Sequence, residues 1–180
     1  MIEPLADAAR LLLLQHARAT LAAVTQGMEL PAAPADDGLQ EPSVVFVTLR
    51  CDSELRGCVG NPHEPHPLSA AVGLMTRQAA LDDPRFPPMS VADVVRATIE
   101  ISRLSPPVEA TPEEIVLGTH GVWVTLGGRD GLLLPQVARD HALDVEDFLG
   151  LVCEKAGLRA VAWRDEEVQL TVFEAEVFGE

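Results

Sequence analysis

Apolar residues first recur at helical spacing near the N-terminal end, where Leu5, Ala9, Leu12, His16, Ala19 and Ala23 form a stripe to bury. Pro4 suits a first turn and Gly27 a last one, so the spacing predicts a helix over 4–27. Residues 30–43, rich in proline and acids, read as an exposed loop. The pattern then changes. Ser43–Arg50 is a β-branched, apolar run that predicts a strand leading straight into residues 51–60. Three prolines in 61–67 forbid regular structure there. A helix over 68–81 stops before Asp82-Asp83-Pro84, and Arg85–Pro88 must be extended because residues preceding proline avoid the helical region.

Ser90 and Asp93 have the spacing of a helix cap. From Arg96 to Leu104 the period is two, with Ile99 and Ile101 on one face and Thr98, Glu100 and Ser102 on the other, which predicts a half-buried strand. Thr111-Pro112-Glu113-Glu114 starts a helix that Gly118 stops. Val122–Leu126 and Leu132–Leu134 flank the turn residues Gly127-Gly128-Arg129-Asp130-Gly131 and read as a hairpin. A helix over 145–156 has Asp144 as its cap and Gly157 at its end, and 168–178 closes the pattern as a long strand. Several strands are joined by turns too short for helical crossovers. That favours an α+β fold with mixed or antiparallel sheets over a doubly wound one.

The length of 180 residues fits one domain over 1–180, or two intimately packed subdomains. A formal net charge of −15 argues against phosphate backbones and anionic membrane surfaces as partners, because the twelve arginines are scattered. Cys51, Cys58 and Cys153 are odd in number, and the N-terminal residues lack a basic stretch, which points to a reducing, cytoplasmic setting. No nucleotide-binding glycine fingerprint follows a strand, and no cofactor is called for.

The densest chemistry is Leu55-Arg56-Gly57-Cys58-Val59-Gly60. Cys58 is the candidate nucleophile, activated by Arg56, Arg85 or the helix beginning near Leu68; the competing reading is a small buried hydrophobe in a glycine turn. Gly57 and Gly60 would allow unusual backbone or a ligand's close approach. Arg56 suits an anion clamp as well as it suits an internal pair with Asp83 or Glu100. Arg85 pairs with Asp83 in its structural reading. Glu100 would be a general base if it faced a ligand, and a solvated strand residue otherwise. His120, between Gly118 and Gly121, is a base for Cys58 only if folding brings the two together. Gln136 has amide groups to offer a ligand. Lys155, the sole lysine, sits where a helix dipole favours a cation and where an amine would also meet a ligand. Cys58, His63 and His66 have a metal-like spacing, but without a firm fourth ligand no metal site is assigned. Trp163 reads as core.

Five motifs in order, namely 55–60, Ala79–Pro88, Glu100-Ile101-Ser102, Gly131–Val137 and Lys155–Leu158, followed by Trp163 and Phe178-Gly179-Glu180, resemble the AMMECR domain family. Its prokaryotic members are called AmmeMemoRadiSam system protein A. The resemblance covers nearly the whole chain, with Val59 where isoleucine is usual. It implies an α+β fold with two sandwich-like subdomains and a cleft bordered by the Arg-Gly-Cys segment. It also implies a Memo-type protein and a radical S-adenosylmethionine protein as partners in a modification pathway. On that reading the chain binds a small anionic ligand or serves as an accessory component, the alternative being a cysteine-dependent enzyme.

Overall fold

A computed structural model describes residues 2–180. Two compact units divide them: Glu3–Arg103 with Glu176–Glu180, and Ile2 with Leu104–Ala175. Eight strands and five helices give an α+β fold with antiparallel sheet. Among the described residues no helix is long and apolar enough to cross a membrane.

The larger unit contains helix α1 (Asp7–Val24), strands β1 (Pro42–Cys51), β2 (Glu54–Gly60) and β3 (His66–Pro67), helices α2 (Leu68–Leu81) and α3 (Val91–Val94), and strand β4 (Ala97–Leu104). Its strands run β2-β1-β4, with β3 also pairing with β1. Helix α1 starts later than the sequence suggests. Pro4 lies outside it because the amide of Leu5 is held by the Glu176 carboxylate at 2.8 Å, which keeps the preceding chain extended. At the other end the amide of Gly27 donates to Val24 O and that of Met28 to Ala23 O, a Schellman closure with Gly27 at φ 71°. Leu13, Ala17 and Leu21 from α1, Val72 and Met75 from α2, and Val47, Leu49, Ile99 and Ile101 from the sheet share one core.

The smaller unit contains β5 (Val108–Glu109), β6 (His120–Leu126), β7 (Arg129–Leu133), helices α4 (Pro135–Asp140) and α5 (Val145–Lys155), and most of β8 (Gln169–Gly179). Here the strand order is β8-β6-β7, and β5 pairs with β8. The hairpin turn is just Gly127-Gly128, both at positive φ, so strand β7 begins earlier than expected. The helix expected after Thr111 is a single 3₁₀ turn, Pro112–Glu114. Its capping box with Glu114 forms, but Ile115 turns extended and buries its side chain in the unit's core, which ends the helix. Pro135 does more than stop a strand: it occupies the first turn of α4, a helix not foreseen. Phe148, Leu149, Val152 and Cys153 from α5 fill this core against Val122 and Val124, and Trp163 packs at its margin.

Candidate functional site

The segment 51–60 is a β-hairpin rather than a glycine loop. Asp52 and Ser53, both at positive φ, make its two-residue turn. Leu49 pairs with Gly57 and Arg50 with Leu55, so Arg56 is the extra residue of a β-bulge. Neither Gly57 nor Gly60 has a positive φ. A Cβ on Gly57 would lie 1.9 Å from the carbonyl oxygen of Ala79 in α2, and one on Gly60 would lie 2.4 Å from the Phe46 ring. The sequence leads one to expect unusual backbone or a ligand's close approach at these residues; neither has a positive φ, and the protein's own atoms occupy the space a Cβ would take.

Cys58 is half-buried, directly opposite Thr48 on β1. The Thr48 hydroxyl donates to Cys58 Sγ at 3.3 Å. Strand β2 ends the larger unit's strand order, so the main chain of Cys58 needs partners from outside the sheet. Asp83 and Arg85 supply them. The Cys58 amide donates to Asp83 Oδ2 at 3.0 Å, and Arg85 Nη2 donates to the Cys58 carbonyl at 3.1 Å. Arg85 also donates to both oxygens of Asp83, through Nε at 3.0 Å and Nη2 at 2.7 Å, and its own amide donates to Oδ1. With these bonds, Arg85's foremost, the buried Asp83 carboxyl is held far below the usual carboxylate range despite the opposing effect of burial. The pairing of Arg85 with Asp83 is therefore present. The same guanidinium is held above its usual range first by Asp83 and further by the Cys58 thiol beside it.

Thr48 also lines a pocket of about 200 Å³ with Arg50, Thr98, Ile99, Glu100, Gly179 and Glu180. Glu100, on the polar face of β4, is one of the residues lining this pocket. Among the described residues Arg50 donates just to Ser53 O, at 3.3 Å, whereas Glu180 is bonded to Arg18. Arg56 lies elsewhere. The bulge directs it to a pocket of about 300 Å³ with Cys51, Asp52, Glu54, Asp93 and Arg96, and it donates to Pro87 O at 3.4 Å. In that pocket Arg96 is paired with both Asp52 and Asp93. Burial, followed by Asp93, pushes the Cys51 thiol up. Among the described residues Arg56 forms no ion pair with Asp83, which Arg85 holds, nor with Glu100.

His120, Gln136 and Lys155 belong to the smaller unit. His120 Nδ1 accepts from the Val116 amide at 3.2 Å, closing its own loop. Gln136 stands in the first turn of α4, and Lys155 in the last turn of α5. Among the described residues no three His, Cys, Asp or Glu side chains converge as metal ligands; His66 of β3 pairs with Ser43 of β1, and the His63 amide is tied to Asn61. Thr48 and Arg50 line the pocket although the sequence reading does not single them out, whereas Asp83 is the partner it names for Arg85. The signal for these two was available: polar residues two apart, flanking Leu49 and following the apolar run Val44–Val47.

The AMMECR1 family model matches residues 14–178. The chain belongs to the AMMECR1 family. Protein Ta0236 of Thermoplasma acidophilum is 38% identical over 91% of this chain and 84% of its own length. Protein PF1979 of Pyrococcus furiosus is 42% identical over 79% of this chain and 73% of its own. The crystal structure of the uncharacterized protein PH0010 from Pyrococcus horikoshii superposes with a TM-score of 0.86 at 37% identity, covering 93% of this chain and 89% of that one. The family and the fold follow from these matches; the chemistry of the Cys58 face rests on its geometry.

Proposed function

We propose that this chain binds a small polar ligand on the Cys58 face, as the ligand-handling component of a modification pathway that includes a Memo-type protein and a radical S-adenosylmethionine protein. The observation that carries the ligand part is the Thr48–Cys58 contact at the edge of a pocket holding Arg50 and Glu100. Arg50 supports recognition of an anionic group, Glu100 accepts a donor, and the threonine hydroxyls serve either. The pathway part rests on the family resemblance alone.

Thermal-shift titration with a panel of small carboxylates, phosphates and keto acids tests the reading. A ligand that stabilises the wild type and loses about ten-fold affinity or more in Arg50→Gln and in Cys58→Ala supports it. Ligands that bind both variants as tightly as the wild type would refute it. Co-elution with the Memo-type or radical protein tests the pathway part separately.

A second reading has its own observation. Cys58 has a guanidinium at its main chain and a hydroxyl donor on its sulfur, surroundings that suit a nucleophile. Cys58 would then add to a carbonyl carbon, its thiol proton passing to solvent and the C=O π electrons moving to an oxyanion whose charge Arg85 or Arg50 balances. A covalent adduct at Cys58, seen by intact mass and absent in Cys58→Ala, distinguishes this from simple binding.

A further inference from the structure

Thirteen glycines stand in the chain, and the fold accounts for all but one. Five sit at positive φ, namely Gly27, Gly118, Gly127, Gly128 and Gly157. Gly57, Gly60, Gly73, Gly121, Gly131 and Gly179 each leave less than 3.0 Å for a Cβ, and Gly38 leaves 3.2 Å. Gly150 is different. It lies inside α5, and a Cβ there would meet only Ala160 O at 3.6 Å and Ala160 Cβ at 3.7 Å, ordinary van der Waals contact. Alanine would fit and would strengthen the helix, since glycine weakens a helix interior. What glycine preserves here is space.

That space is a groove of about 440 Å³ between α5 and residues 160–164. Leu151 and Val161, exposed by 38% and 49%, form apolar walls with Leu143 and Trp163. Three carboxylates rim it: Glu146, Asp147 and Glu154. Its one cation, Arg164, lies 4.5 Å over the Trp163 ring and pairs with Glu146 at 2.9 Å. Asp147 and Glu154 have no cationic partner among the described residues. The chain's own arginine thus displays what the groove holds: a guanidinium stacked on an indole and paired with a carboxylate.

We propose that this groove docks a basic, leucine-containing peptide segment of a partner protein. An aliphatic side chain seats over Gly150 between Leu151 and Val161, and flanking arginine or lysine residues reach Asp147 and Glu154. A second copy of this chain is a poor source of such a segment, because it carries a net charge of −15 and one lysine.

Fluorescence anisotropy with a fluorescein-labelled peptide alternating leucine and arginine tests this, against the same peptide with glutamate replacing each arginine. The basic peptide should bind, more weakly as salt rises, and the acidic one should not. Gly150→Leu should weaken binding about ten-fold or more while the melting temperature holds or rises, and Asp147→Asn with Glu154→Gln should weaken it and flatten the salt dependence. Binding unchanged by Gly150→Leu, equal binding of the acidic peptide, or no binding of the basic one would overturn the proposal. So would concentration-dependent self-association that Gly150→Leu abolishes, which would make the occupant a second copy.

Discussion

Cys51 and Cys58 stand seven residues apart on one hairpin, yet their surroundings differ in kind. Cys51 points to the side packed by α2 and α3, is 5% exposed, and faces Asp93, whose carbonyl takes its S–H at 3.7 Å. Burial and that acid raise its pKa, so it is held as a neutral thiol. Cys58 is half-buried, receives a hydrogen bond from Thr48, and has its main chain clamped by Asp83 and Arg85. The difference comes from strand alternation and the partners each face meets. A cysteine's chemistry is decided by its place in the sheet, and the glycines beside Cys58 act through packing.

The change expected to break the contrast most completely is Gly57→Ala. The new methyl would collide with Ala79 O, forcing β2 off α2 and exposing both thiols. A loss of about 3 kcal/mol in urea unfolding is expected, with both cysteines labelled by alkylating reagent. Asp83→Asn comes next, at about 1–3 kcal/mol, because it removes charge-assisted bonds to Arg85 and Cys58. Since the folded pKa of Asp83 is depressed, its stabilisation is full above the unfolded value near 3.8 and is lost as pH falls below it. The variant should therefore show a flatter acid limb.

His16 sharpens the packed side of the comparison. It lies 7% exposed against Gly73 of α2, and burial lowers its pKa below the ordinary 6.5. As pH drops through 6.5 the unfolded chain takes up a proton that the folded one resists, so stability should fall by at most about 1.4 kcal/mol per pH unit. A pH series of urea midpoints on His16→Gln against wild type reads this. The smallest effect belongs to Thr48→Val, expected within about 1 kcal/mol in stability. Its readout is selective: slower alkylation of Cys58 with Cys51 unchanged.

Much of the fold was legible along the chain. Period two separated Ile99 and Ile101 from Thr98 and Glu100, and caps marked α5 from Asp144 to Gly157. Strand β2 was not legible, because two glycines interrupt its alternation and its turn, Asp52-Ser53, contains none. The roles of Gly57 and Gly60 depend on Ala79 and Phe46, atoms that only folding brings near. Asp83 reads locally as a helix end; the amide it holds is 25 residues away. Arg56 and Cys58 look like one site in sequence, and a single bulge residue directs them to different surroundings.

The most direct test is the alkylation rate of each cysteine in the folded protein at neutral pH, read by peptide mass spectrometry, in the wild type and in Arg85→Gln. Cys58 should label in the folded state and several-fold more slowly in the variant, while Cys51 and Cys153 label only after denaturation. Labelling of Cys58 only on unfolding, or at a rate indifferent to Arg85, would contradict an accessible thiol held by the Asp83–Arg85 clamp.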